Sequence, residues 1–369
     1  RFDGIPVAFV GLTLKDTPNI VVPSGVAGLR FRDEAETVNE LVPQLRAQGI
    51  EAIVLLIHEG GYPAGGPNEC PAISGPIVRI VERLDPAVDL VISGHTHRAY
   101  VCRIAGRVVT SADSFGRMLS AIDLTLDRAT RDVVDVRAGN VVVAPSFAKD
   151  PRQTALIEAY ERLAAPLAQR VVAHLPAALP RDAAPSGESP LGRVIADAQL
   201  AATRDAGAQL ALMNPGGIRQ PLLPAPDGSV RYEQLFAVQP FQNALVTMTL
   251  SGAQLLQLLE QQWAGQPFPR VLQVSRGFAY AWDPAQPPGR RVVPGSLRLH
   301  GRPVAPGDEL RVTVNSYLAD GGDRFALLAE GRDRRTGVMD VDALEAWLKA
   351  MQADPSLMPE HTPRIARRD

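Results

Sequence analysis

Two apolar runs, EAIVLLI at 51–57 and VDLVI at 88–92, are too short for a helix and too continuous for a half-exposed strand. Runs of this kind are buried on both faces, the habit of central strands in a sheet covered by helices. The segment ahead of the first, DEAETVNELVPQLRAQG (33–49), spaces its apolar residues helically, starts acidic and ends on a glycine. Those are the marks of a helix. VAFVGL (7–12) reads as a strand before it and ISGPIVRIVERLD (73–85) as a helix after it. Strand and helix signals thus alternate over 5–145, which dictates α/β layering with the sheet inside.

The rhythm changes afterwards. RQTALIEAYERLAAPLAQRVV (152–172) reads as one long amphipathic helix, and LPRDAAPSGESPLG (179–192) as a loop dense in Pro, Ser and Gly. Beyond it, LGRVIADAQLAAT and SGAQLLQLLEQQW read as helices, and ALVTMTL, GFAYAW and DELRVTVN as strands, a mixed order that suits an α+β domain. The expected organisation is a first domain over 1–148, a connector helix over 149–175 and a second domain over 176–369. With 369 residues, 46% of them hydrophobic, the chain can fill two cores. A net charge of −2 without a basic block argues against a nucleic-acid polymer as partner, and no apolar run reaches the ~18 residues of a membrane span. The opening RFDGIPVAFVGLT has neither an initiator Met nor a signal-peptide pattern and runs almost directly into a strand. It reads as though something upstream had been removed. Oligomeric state is not legible.

Three of the six histidines sit where strands end: His58 after EAIVLLI, and His95 with His97 in SGHTHRAY after VDLVI. In layered α/β sheets ligands gather beyond the carboxyl ends of strands. If these two strands are parallel neighbours, the three imidazoles share one edge, flanked by Gly60, Gly61 and Gly94, which let backbone approach an ion. The alternative is three loop histidines with ordinary hydrogen bonds. A two-metal hydrolytic site also needs a bridging carboxylate, and neither Asp-x-His nor Asn-His occurs in this sequence. Cys70 and Cys102, the only cysteines, are either buried thiols or one disulfide between the loops beside HEGG and GHTH, which would point to an oxidising compartment.

LLIHEGG with SGHTHRAY resembles the later metal-binding motifs of the calcineurin-like metallophosphoesterases. With MNPGGIR (213–219), VQPFQN (238–243) and VNSYLADGGDRF (314–325), the whole chain is similar to the 5′-nucleotidase and UDP-sugar hydrolase family. The resemblance implies a four-layer α/β/β/α metallophosphoesterase sandwich, incomplete here, followed by an α+β 5′-nucleotidase C-terminal domain. It implies two divalent ions (Zn, Mn, Mg or Co), with His58 and His95 on one and His97 on the other. The family's Asp-x-His, bridging Asp and Asn-His elements precede the point at which RFDGIPVAFVG aligns. No catalytic residue is therefore expected within this chain.

In the second domain the resemblance assigns Phe241 and Tyr317 to sandwich a nucleotide base, a contact worth ~1–3 kcal/mol per base. Asn243 would meet the base edge and Asp323 the ribose hydroxyls; the plainer readings are two core aromatics and a turn-forming Asp. Asn214, Gly217 and Arg219 of NPGGIR would contact substrate, the guanidinium taking phosphate in a forked geometry. Arg181 stands between ligand contact and surface charge, and Arg193 reads as a surface helix residue. The implied activity is metal-dependent hydrolysis of nucleotide phosphate esters, 5′-nucleotidase in type, in the periplasm or secreted. The alternatives are UDP-sugar diphosphatase, 2′,3′-cyclic nucleotide phosphodiesterase with 3′-nucleotidase activity, and a non-catalytic nucleotide-binding module. The expected partner is a nucleotide or nucleoside.

Overall fold

A computed structural model of the chain describes residues 1–21, 23–359 and 362–368. It divides into two compact units: Arg1–Pro18 with Val26–Lys149, and Asn19–Gly25 with Asp150–Asp369.

The first unit runs β1 (Val7–Leu12), α1 (Glu34–Ala47), β2 (Ala52–Ile57), α2 (Pro76–Glu82), β3 (Leu90–Ile92), β4 (Ala99–Ile104), β5 (Arg107–Ala112), β6 (Met118–Leu126) and β7 (Val133–Val142). α1 starts where the Asp33 carboxylate accepts from Glu36 N, one of the amides a helix start leaves without a partner. Five strands form a sheet in the order β1-β2-β3-β5-β4, all parallel except β4, which turns back along β5. Alternation along β2 sends Ile53, Leu55 and Ile57 to the face covered by α1 and α2, where they meet Val38, Val42, Ile77 and Val81. Val54 goes to the opposite face with Leu90 and Val108, against Ile122, Leu124, Val136 and Ala138 of the β6–β7 pair. The layers are helix, sheet, sheet. Among the described residues no second helical layer covers β6–β7, so three of the four expected layers are present.

The second unit contains α3 (Pro151–Ala168), β8 (Val171–His174), α4 (Pro190–Ala202), β9 (Leu210–Met213), β10 (Ser229–Arg231), α5 (Tyr232–Val238), β11 (Ala244–Ser251), α6 (Gly252–Glu260), β12 (Gln273–Val274), β13 (Phe278–Trp282), β14 (Arg298–Leu299), β15 (Arg302–Pro303), β16 (Glu309–Asn315), α7 (Ser316–Ala319), β17 (Arg332–Met339), α8 (Asp340–Ala353) and β18 (Ile365–Arg367). Its main sheet has the order β12-β9-β16-β11-β17, with β9 and β16 parallel and the other pairs antiparallel. α6 and the smaller sheet β15-β14-β13-β18 share one core with it, built on Leu212, Met248, Leu255, Phe278 and Val312. α4, α5 and α8 share another through Ile195, Met213, Leu235, Leu344 and Trp347.

Two readings change here. The helix expected over 152–172 stops at Ala168, because Val172 and Ala173 gain more by burial in a strand, where Val171–His174 pairs antiparallel with Ser229–Arg231. Arg193 is not a surface residue: its side chain is 14% exposed and pairs with the buried Glu188 at 3.3 Å. α4 is covered on nearly every side, so its charges are paired. Asp197 on the same helix accepts two bonds of 2.8 Å from Arg364 and two from Arg276, its N at 2.6 Å and its Nε at 3.1 Å, tying the approach to β18 onto α4.

Candidate functional site

In the first unit β2 and β3 are parallel neighbours, so their carboxyl ends open on the same edge. The loops that follow, HEGG and GHTH, touch backbone to backbone: Gly94 N donates to the Glu59 carbonyl at 3.2 Å, and Thr96 Oγ1 to the Gly61 carbonyl at 2.9 Å. A Cβ on Gly60 would overlap the Gly94 carbonyl oxygen and come within 2.6 Å of Thr96 Oγ1. That residue is glycine for close approach. Beneath lies Tyr100, fully buried, its hydroxyl 2.6 Å from Ser93 Oγ and accepting from Gly61 N at 3.2 Å. Ser93 Oγ donates to the Thr110 carbonyl, so the proton between the two hydroxyls belongs to Tyr100. Glu59 is buried, and burial pushes its carboxyl up to about 7.

His95 and His97 adopt φ of 65° and 52°, a left-handed conformation that costs an ordinary residue ~1 kcal/mol or more. It swings the His95 ring onto His58: Nδ1 of one lies 3.2 Å from Nε2 of the other, with ring centroids 4.9 Å apart. Two imidazole nitrogens on one tetrahedral zinc at ~2.05 Å stand about 3.3 Å apart, so this pair has the spacing of two ligands of a common ion. His97 goes elsewhere, edge-on to the exposed Phe115 at 5.4 Å. Among the described residues no group of three or more His, Cys, Asp or Glu is placed to hold an ion. The donors present thus fit part of one ion's shell. Cys70 and Cys102 form a disulfide that ties the loop closed by Tyr62 and Ser74 to β4.

The second unit collects its residues by the same topology. β9 and β16 run parallel; Asn214 follows directly on β9 and Asn315 ends β16, while the antiparallel β11 starts at the same edge, just after Phe241–Asn243. Asn315 Nδ2 donates to Asn214 Oδ1 at 2.9 Å, and Asn214 Nδ2 to Asp323 Oδ2 at 2.7 Å. Gly217 lies against Asn214, where a Cβ would approach Oδ1 to 3.0 Å and strike Met213. The turn delivers Arg219, whose guanidinium stands 5.8 Å over the Phe241 ring and donates to the Gly216 carbonyl at 3.3 Å. Arg181 donates to the Arg219 carbonyl. Phe241 is 55% exposed, which rules out a core role for it.

Tyr317 and Asp323 are joined twice: the phenol donates to Asp323 Oδ1 at 3.0 Å and accepts from Asp323 N at 2.9 Å. Asp323 is buried at φ 54° and also receives Arg270 on Oδ1. Burial pushes the Tyr317 phenol well up. Asn243 faces protein: Nδ2 donates to Asp340 and Oδ1 accepts from Ser316 Oγ, each at 3.4 Å. Arg270 belongs to none of the sequence motifs. Its signal was a lone cation in the otherwise uncharged QPFPRVLQ, and its guanidinium stands 4.9 Å over Phe268.

Residues 171–330 match the family 5′-nucleotidase, C-terminal domain. Over 88% of this chain and 44% of its own length, the cell wall protein Lmo0130 of Listeria monocytogenes is 30% identical. The endonuclease YhcR of Bacillus subtilis is 28% identical over 94% of this chain and 27% of its own length. The chain therefore spans less than half the length of these curated relatives. Among solved structures, the 5′-nucleotidase precursor of Thermus thermophilus superposes with a TM-score of 0.79 at 29% identity, over 98% of this chain and 72% of that one.

Proposed function

We propose that this chain, whose residues 171–330 are a 5′-nucleotidase C-terminal domain, binds a nucleotide through its second unit and serves metal-dependent hydrolysis of nucleotide phosphate esters. The observation that carries the reading is the exposed Phe241 with the Arg219 guanidinium over its ring, on the edge that also holds Tyr317. An aromatic face and a forked cation side by side suit a base and a phosphate. Arg181 buttresses Arg219 through its carbonyl, and the NPGG turn anchors the guanidinium through the Gly216 carbonyl.

In the first unit His58 and His95 would hold one divalent ion, imidazoles favouring Zn or Co over Mg or Mn. Such an ion supplies charge stabilisation and activation of water at phosphorus. Tyr100 and Ser93 brace the loops that carry the two rings, and Thr96 fixes the left-handed turn. The disulfide and the relative named a cell wall protein support a place outside the cytoplasm. Among the described residues no helix is long and apolar enough to cross a membrane.

The test is calorimetric titration of AMP into the whole chain, beside phosphate release with added Zn²⁺ or Mn²⁺. AMP should bind tighter than adenosine, Phe241→Ala should weaken both about tenfold, and Arg219→Ala should abolish the difference between them. No AMP binding, or AMP binding untouched by Phe241→Ala, overturns the proposal. Binding without turnover selects the non-catalytic nucleotide-binding module instead.

A further inference from the structure

The Asp323 carboxylate is the natural acceptor for sugar hydroxyls in the proposed nucleotide site, and it is already engaged. A carboxylate offers about four lone-pair positions, two on each oxygen. On Oδ1 the Tyr317 hydroxyl occupies one at 3.0 Å and Arg270 Nη1 the other. On Oδ2 Asn214 occupies one at 2.7 Å, leaving a single position. The phenol is held from both sides, since it also accepts from Asp323 N at 2.9 Å. The Asn19 carbonyl, 3.3 Å from the same hydroxyl, is the longer and uncharged of its two acceptors. A ring swing that would vacate the carboxylate is blocked beneath: Gly322 packs so tightly on Tyr317 that a Cβ there would lie 2.5 Å from Cζ. Arg270 neutralises the carboxylate and is itself only 12% exposed, so the pair is not readily opened by water.

We infer that the Tyr317 hydroxyl takes on Asp323 the place of a sugar hydroxyl, so that the site does not distinguish ribonucleotides from deoxyribonucleotides. A pentose diol would need two acceptor positions and finds one. A 2′-deoxy sugar keeps one hydroxyl for that one position and so gives up nothing that the carboxylate is free to accept, whereas a 2′,3′-dideoxy sugar gives up that single bond. Recognition is left to the base, against Phe241 and the Tyr317 ring, and to the phosphate, at Arg219. Tyr317 is on this view a specificity residue through its oxygen and a stacking residue through its ring. The inference rests on the nucleotide-binding reading above.

The experiment is calorimetry on the full chain with AMP, 2′-deoxy-AMP and 2′,3′-dideoxy-AMP. In the native protein AMP and 2′-deoxy-AMP should agree within about twofold, and 2′,3′-dideoxy-AMP, lacking any hydroxyl for the one free position, should be the weakest. Tyr317→Phe keeps the ring and frees a second position on Oδ1, so AMP should gain about tenfold over 2′-deoxy-AMP, the size of one hydrogen bond to a charged acceptor. Phe241→Ala should weaken all three alike and leave their ratios where they were. The ratio is internal to each protein, so a general loosening of the loop in Tyr317→Phe does not produce it. If that variant fails to fold, the native ratios decide alone. A native preference for AMP over 2′-deoxy-AMP of tenfold or more overturns the inference, as does an AMP to 2′-deoxy-AMP ratio that Tyr317→Phe leaves unchanged. Native protein that binds none of the three overturns the nucleotide-binding reading itself, and this inference with it.

Discussion

Gly60 and Gly94 face each other across the two loops that carry His58 and His95, and in sequence both look equally necessary. The structure separates them. A methyl on Gly60 would overlap the Gly94 carbonyl and crowd Thr96, whereas one on Gly94 meets nothing within 4 Å. Neither residue has positive φ, so the contrast is one of space alone. To admit Gly60→Ala the GHTH loop must retreat, which breaks the Gly94-to-Glu59 and Thr96-to-Gly61 hydrogen bonds at ~1 kcal/mol each. Residual overpacking adds ~1 kcal/mol or more. The expected loss is about 3 kcal/mol for Gly60→Ala, against less than ~0.5 kcal/mol for Gly94→Ala. All three tryptophans, Trp263, Trp282 and Trp347, belong to the second unit. Urea unfolding followed by far-UV circular dichroism should therefore show the loss, while tryptophan fluorescence stays in place. Zn²⁺ titrated into Gly60→Ala should bind more weakly, because the retreating loop carries His95 away from His58. A Gly60→Ala variant as stable as the native chain, or a Gly94→Ala variant equally damaged, would refute the steric account.

Two other outcomes follow from charge and covalent structure. Reducing the Cys70–Cys102 bond, which closes a loop of sequence separation 32, should cost the first unit ~3–4 kcal/mol. The dichroism transition should drop with the tryptophan signal unmoved; a shift in both, or in neither, contradicts it. Glu345 is held down to about 2 by Arg170, with Lys349 adding to it. A folded pKa below the unfolded one gives stability that is complete above pH ~4.5 and disappears as pH falls toward 2. Glu345→Gln should therefore cost ~1–2 kcal/mol at pH 7, screening included, and converge on the native chain near pH 2. Tryptophan fluorescence reads this, since Trp347 lies on the same helix, and a difference that stays constant with pH would tell against it.

Much of the fold is legible because local rules and tertiary demands agree. The continuous apolar character of 51–57 and 88–92 could only be satisfied by strands covered on both faces, and the histidines after them had to fall on one edge once those strands ran parallel. The motifs around Asn214, Phe241 and Tyr317 are likewise strand ends or strand starts, so sheet topology alone gathers them. What the sequence could not decide is which way each side chain turns once there. His97 sits two residues from His95 yet meets Phe115 instead of His58. Arg193 looks like a surface cation until α4 is covered on all sides. The helix over 152–172 is cut short by a strand partner nearly sixty residues downstream. Arg270 reaches Asp323 across 53 residues of chain, and no periodicity carries that information. Sequence by itself determined the layers and the edge where chemistry can happen, since burial of apolar periodic runs is a local property. Only the tertiary structure decided which polar groups there are already satisfied by one another, since hydrogen-bond saturation depends on partners far apart in the chain.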